Sequence, residues 1–352
     1  MNTFSSDGIA CRFCKKTDLN IFLFAVTFRF LLSLNRKIRE MRKLFVVTAL
    51  MFCAIITQAQ NRYLKTFGSQ KNTPLLFLHG GPGGCSIDFE LTTAQTLADN
   101  GFFVIVYDRR GEGRSDDEGA EYTFDQTNAD ILHIYEKYSL KTASLIGHSY
   151  GGVVATKFTK KHPDKVKSIV LAGAPVDLQM CFKTILKTVE SKVIAKNDST
   201  MLKQLDFVKK QDTSSIYYSS GSFMLAMQNG IYNARNPDSS AIKLYSALMN
   251  SPEAKTYFQN MEKTNYRSMY ASSMGFFNKE KYTTLNLTSD LQSLKTTPIY
   301  GIYGEEDGLF DKNQISIIRS FTRDFAYLED CSHNPFMDKQ AEFINRLVIW
   351  LK

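Results

Sequence analysis

Short apolar runs alternate with amphipathic stretches from residue 75 onward. Leu75-Leu76-Phe77-Leu78 is the first run, and 102–107, 143–146, 168–172, 298–303 and 325–328 follow it. Continuous rather than alternating apolarity marks strands covered on both faces. Between the runs the spacing predicts helices over 91–100, 124–138, 151–162, 313–321 and 340–351. Gly101 is placed to end the first, and Pro163 follows the third. Ahead of the first run, 62–67 can form one further short strand. Strands alternating with helices define an α/β domain whose sheet is mainly parallel and flanked by helices. Such sheets bind ligands at the carboxyl ends of their strands, so the loops that follow the runs are where chemistry is expected.

Residues 176–296 break this rhythm. The stretch is rich in Lys, Ser, Tyr and Met and reads as helices without buried strands. It falls between the fourth and fifth runs of the series that begins at Leu75, so it is an insertion. The expected layout is a core of 60–175 and 297–352, with 176–296 as a helical cap over the site. A peripheral helical subdomain is the alternative.

The net charge of +8 suggests an acidic partner until it is located. Residues 1–40 carry seven Lys/Arg and three Asp/Glu, and Arg42 and Lys43 add two more positive charges, so only +2 is left from Gln60 onward. A near-neutral body has no electrostatic footprint for nucleic acid. Arg42 and Lys43 instead precede an uncharged apolar stretch, 44–56, and then Thr57-Gln58-Ala59. That is the pattern of a cleaved secretory signal over 41–59, and the stretch is short for a membrane span of ~20 residues. Residues 1–40 then read as an upstream extension. Secretion or periplasmic export is expected, with an N-terminal membrane anchor as the alternative if 1–59 is retained. Cys11 and Cys14 form a lone Cys-x-x-C with no second pair. Cys85, Cys181 and Cys331 cannot make a complete disulfide framework, and a core of this size needs none.

A serine hydroxyl becomes an effective nucleophile when a base removes its proton as it attacks. Gly147-His148-Ser149-Tyr150-Gly151 follows a buried-strand run and opens a helix, the setting in which Gly-x-Ser-x-Gly exposes a serine on a sharp turn. Among five histidines, His333 lies just after the last run, where a loop can reach Ser149. His133 and His162 belong to surface helices, His148 lies inside the turn, and His79 precedes a glycine-rich loop. Asp307 follows the 298–303 run and is the expected acid to orient the imidazole. Glu305, Glu306 and Asp177 are positional rivals. The oxyanion formed by attack on a carbonyl needs backbone donors. Tyr150, directly after the serine, and Gly81, in His79-Gly80-Gly81-Pro82-Gly83-Gly84, are the expected pair. That loop lacks the Lys-Ser/Thr of a phosphate loop. No metal-ligand spacing such as His-Glu-x-x-His occurs, and no metal or organic cofactor is implied. Asp108–Ser115, with its charges and glycines, reads as a structural loop beside the site.

His79–Gly84, the Asp108–Ser115 loop, the Ser149 turn, Asp307 and His333 resemble the α/β-hydrolase superfamily in order and spacing, from about residue 63 to the end. The His-Gly-Gly-Pro-Gly-Gly loop together with Asp-x-Arg-Gly-x-Gly-x-Ser is similar to the proline iminopeptidase branch, the S33 serine peptidases. That resemblance implies release of an N-terminal residue, often proline, from short peptides through an acyl-enzyme. Two features depart from that branch. The turn reads Gly-His-Ser-Tyr-Gly rather than Gly-Gly-Ser-Trp-Gly. The branch's Trp- and Glu-containing cap segment is absent, since the single tryptophan is Trp350, and Glu190, Glu253, Glu262 and Glu280 fall outside that pattern. The expected activity is a serine hydrolase of small or short-peptide substrates, of peptidase or aminoacyl-amide type. A carboxylesterase is the alternative, and a non-catalytic binding protein on the same fold is a third reading.

Overall fold

The computed structural model describes residues 62–115, 119–264 and 266–352. The expected signal segment, the upstream extension and Cys11 and Cys14 lie outside the described residues. Seven strands form one sheet: β1 (Leu64–Phe67), β2 (Thr73–Leu78), β3 (Phe102–Tyr107), β4 (Ala143–His148), β5 (Val166–Ala172), β6 (Ile299–Gly304) and β7 (Asp324–Leu328). Their order is β1-β3-β2-β4-β5-β6-β7. Only β1 runs antiparallel, pairing Leu64 with Tyr107 at the sheet edge, and every other neighbour is parallel.

The runs inside the sheet are strands covered on both faces, whereas β7, at the sheet edge, leaves Tyr327 exposed, contrary to what its apolar run indicated. Every residue of β3 and β4 is buried. One face packs Leu76, Ile105 and Leu145 under the helices Phe124–Lys137 and Tyr150–Lys161. The other packs Leu75, Phe77 and Val104 under Gln340–Leu351 and the helical stretch after β2. There Phe89 stacks on Phe77 with centroids 3.8 Å apart. Each such aromatic, fully buried, contributes roughly 2–3 kcal/mol. Gly101, at φ +80°, closes the stretch after β2 as its position predicts. That stretch begins earlier than its apolar periodicity indicated, at Ile87. It carries a π-helical segment, Glu90–Ala94, which shifts the period the pattern relied on.

Between β5 and β6 the main elements among the described residues are α-helices: Leu178–Ala195, Ser199–Lys209, Ile216–Gln228, Ser239–Asn250, Pro252–Lys263, Arg267–Glu280 and Thr288–Ser293. The first five start on a side-chain cap, Asp177, Asp198, Ser215, Asp238 and Ser251 in turn, each accepting from a first-turn amide. This explains why a Lys- and Ser-rich segment with few buried runs is still helical. Its apolar side chains, among them Phe182, Leu205, Leu225 and Phe276, join the core on the Leu76 side of the sheet. No helix among the described residues is long and apolar enough to cross a membrane.

Candidate active site

The site is assembled where the strands end. β4 runs two residues beyond its apolar run, through His148, and the chain turns at Ser149 itself, whose φ is +51° and ψ −124°. A non-glycine residue held in that region is strained, and the strain persists only where the surroundings enforce it. Here Ser149 N–H donates to Ala172 O at 3.0 Å and Gly152 N–H to Ser149 O at 2.9 Å. The turn also needs small neighbours. A Cβ on Gly147 would lie 2.5 Å from Gly152 Cα, and one on Gly151 would strike Leu78 O. Among the described residues the Ser149 hydroxyl has no hydrogen-bond partner, and the residue is half-buried.

His333, in the loop after β7, places Nδ1 2.8 Å from Asp307 Oδ2. Both are buried, and the second Asp307 oxygen accepts from Leu309 N–H at 3.1 Å. The loops after β6 and β7 are stitched together by Glu305 N–H to Leu328 O and Glu306 N–H to Cys331 O, each 2.9 Å. Ser332 N–H is held by Asp338 at 2.8 Å. With Nδ1 bound to the carboxylate, the opposite ring nitrogen, Nε2, is the one left for chemistry. Of the positional rivals, Glu305 is exposed and the other two are engaged elsewhere. Asp177 caps Leu178–Ala195 and accepts from Asn286, and Glu306 pairs with Arg235 at the surface.

His148 is not a base in this arrangement. Its Nε2 lies 2.9 Å from His333 O, and burial pushes its pKa down to about 3. His79 is also buried and held well below its ordinary pKa, first by burial and then by the Arg109 charge. Its Nδ1 lies 2.8 Å from Gly80 O, and its Nε2 accepts from Arg109 N–H at 3.0 Å. His133 is exposed, and His162 lies against Phe158 at the end of its helix.

The glycine loop after β2 lies against the serine: a Cβ on Gly80 would be 3.3 Å from Ser149 Cβ. Gly81 has φ +133°, and a Cβ there would come within 2.9 Å of Arg109 Nη2, so this position requires glycine. Among the described residues neither the Gly81 nor the Tyr150 amide donates to another group. Tyr150 is the first residue of its helix, where amides have no intrahelical acceptor and the dipole favours negative charge. From the segment between β5 and β6, Met269 packs on Gly83, Ser273 Oγ donates to Pro82 O at 3.4 Å, and the Tyr232 ring lies 5.1 Å from that of His333.

Several contributors escaped the sequence pattern. Gly173, just after β5, has φ +56°. A Cβ there would sit 3.1 Å from His333 O and 3.5 Å from Asp307 Oδ2. A glycine directly after a buried strand was its only signal. The Asp108–Ser115 loop is built around Asp108, which accepts from Ser86 N–H and Arg114 Nε at 2.8 Å each. Cys85, Cys181 and Cys331 are free thiols. Of the acids singled out in 176–296, Glu190 pairs with Lys209, and Glu280 accepts from Phe124 N–H. Glu253 lines a cavity of about 670 Å³ together with Arg114, Tyr257, Asn260 and Arg267. No cluster of His, Cys, Asp or Glu among the described residues is suited to hold a metal ion.

Residues 73–340 match the family model described as the alpha/beta hydrolase fold, and the chain belongs to that family. It is 24% identical over 325 residues to a proline iminopeptidase of Lactobacillus delbrueckii subsp. bulgaricus, covering 85% of this chain and 93% of that one. Among solved structures it is similar to a proline iminopeptidase of Mycobacterium smegmatis (TM-score 0.58, 16% identity), covering 82% of this chain and 94% of the other. An esterase from Exiguobacterium antarcticum is also similar, with TM-score 0.52, 17% identity and coverage of 82% and 95%. At these identities the structural likenesses speak to the fold alone.

Proposed function

We propose that this chain is a serine hydrolase that works through an acyl-enzyme on peptide or aminoacyl amide substrates. The observation that carries the reading is the 2.8 Å contact of Asp307 with His333 Nδ1, beside a serine held on a strained strand-to-helix turn. In this reading Ser149 Oγ attacks the substrate carbonyl as His333 Nε2 takes its proton. Asp307 fixes the tautomer and stabilises the imidazolium. The amides of Gly81 and Tyr150 receive the oxyanion. His333 then hands the proton to the leaving amine, and water, activated by the same nitrogen, releases the acid. The helices of 176–296 act as a cap, consistent with Met269 and Ser273 resting on the glycine loop and Tyr232 facing His333.

The amide preference draws on the proline iminopeptidase relative, which aligns along most of both chains. A carboxylesterase is the second reading, favoured by the missing amine-binding pattern and by Glu190 and Glu280 being already engaged. A fluorophosphonate probe tests the hydrolase reading: wild type labels and Ser149→Ala does not. Equal labelling of the two, or none of wild type, defeats it. A panel of proline and other aminoacyl arylamides beside short-chain aryl esters then decides between the readings. Hydrolysis of esters alone ends the peptidase claim. Residues 41–59 are proposed to direct export; N-terminal sequencing of the natural protein that finds residues 1–40 present overturns this.

A further inference from the structure

Among the described residues neither Arg109 nor Glu112, in the loop after β3, hydrogen-bonds to Ser149 or His333, yet the two form a buried ion pair. Arg109 is 2% exposed and Glu112 is fully buried. Arg109 Nη2 lies 2.8 Å from Glu112 Oε2, and Nε lies 3.2 Å from Oε1. Burying such a pair is break-even at best for stability, so its value has to be sought in what it touches. Arg109 Nη1 donates to His79 O and Nη2 to Gly80 O, both at 2.6 Å. Glu112 Oε2 accepts from Gly83 N–H at 2.8 Å. The guanidinium also lies over the Tyr150 ring, 5.5 Å from its centroid.

These contacts have a directional consequence. The Gly80 carbonyl and the Gly81 N–H are opposite ends of one planar trans peptide unit. Fixing Gly80 O on the buried guanidinium turns the Gly81 N–H the opposite way, out of the buried side of the loop. The Gly83 N–H is meanwhile taken up by Glu112 and cannot compete for an oxyanion. One ion pair therefore fixes the direction of the Gly81 amide and takes the Gly83 amide out of competition, and it packs on the residue that carries the second amide.

We propose that Arg109 and Glu112 are positioning residues for the oxyanion hole. This rests on the serine hydrolase reading. They act through the Gly81 and Tyr150 amides and touch no reacting atom.

The test compares wild type with Glu112→Gln and Arg109→Lys. It measures fluorophosphonate labelling, kcat and KM on the best substrate of the panel, inhibition by a trifluoromethyl ketone analogue of that substrate, and thermal melting. The ketone adds to serine and forms an oxyanion, whereas KM reports chiefly ground-state binding. Loss of correctly aimed donors is expected to lower kcat about 10²-fold and weaken the ketone in parallel. KM should stay within about threefold. A merely structural role moves melting without this split. Folded variants whose kcat and ketone affinity stay within about threefold of wild type overturn the proposal and leave the hydrolase reading standing. A wild type that is not labelled overturns both. If Glu112→Gln does not fold, Arg109→Lys carries the same expectation, because it keeps the charge but cannot reach His79 O, Gly80 O and Glu112 together.

Discussion

Asp307 and His333 meet at 2.8 Å although each belongs to a different loop, one after β6 and one after β7. Among the described residues the Asp307 oxygen that faces the ring accepts only from His333, and the other is held by Leu309 N–H. Replacing Asp307 with Asn keeps the shape but presents an amide that can donate to Nδ1, which selects the wrong tautomer for a base at Nε2. The expected result is a kcat lower by about 10⁴-fold, with KM little changed. Steady-state kinetics on the folded variant check this. A kcat within about tenfold of wild type removes Asp307 from the proposed triad.

Gly173 supports the same pair from below. Alanine there must hold φ +56°, which costs about 1–2 kcal/mol, and its Cβ would press on His333 O at 3.1 Å. Gly230 offers a matched control at φ +60°, where the nearest atom to a Cβ is Asn233 Nδ2 at 3.8 Å. Both alanine variants are expected to lose the stability that the positive φ costs, and Gly173→Ala to lose somewhat more, in urea titrations. Only Gly173→Ala should lose activity, by about 10²-fold, because small displacements of catalytic groups are felt strongly. Equal activity of the two variants shows that Gly173 does not help place His333.

Much of this arrangement was readable in the chain because its signals are local. Strand runs such as 102–107 are apolar throughout since both faces are covered, and the Ser149 turn announces itself by glycines at fixed offsets. Asp307 and His333 followed from their places after the last two strands. What escaped was set by contacts between distant segments. Gly173 shows in the sequence only as a glycine after a buried strand, and Arg109 only as one charge in a loop that reads as structural; each matters through groups elsewhere, His333 for one and Gly80 for the other. The π-helical turn at Glu90–Ala94 hid the start of its helix by breaking the very period used to find it. Tyr232, facing His333 from the insertion, carries no pattern at all.

The Tyr150 hydroxyl is buried and has no hydrogen-bond partner among the described residues, while its ring packs against Phe124, Phe276 and Tyr282. An unmet buried hydroxyl destabilises, and replacing it by hydrogen can be neutral or favourable. Tyr150→Phe is therefore expected to change stability by about 0 to +1 kcal/mol in the favourable direction. It should keep kcat, because the proposed donor is the backbone amide. Thermal melting and kinetics read both parts. A clear loss of stability would mean that the hydroxyl is solvated or bonded in solution, and a loss of kcat would give it a chemical role.

His148 ties stability to pH. Burial lowers its folded pKa to about 3, against an ordinary value of 6.5. The unfolded chain therefore takes up a proton below pH 6.5 that the folded chain refuses. The neutral ring's contribution is present in full above pH 6.5 and is lost progressively as pH falls toward 3, with a slope of up to about 1.4 kcal/mol per pH unit. Asp88, raised by burial to about 6, acts in the opposite sense, since the fold binds its proton before the unfolded chain does. The two are separated by difference. His148→Gln keeps a side-chain donor for His333 O and removes only the titration. Relative to wild type, this variant should gain stability steadily from pH 6.5 down to pH 4 in urea titrations, and run parallel to it between pH 7 and 9. Parallel curves across the whole range would show that His148 takes up its proton at the same pH in the fold as in the unfolded chain, and the account of a buried neutral ring beside Ser149 would fail with it.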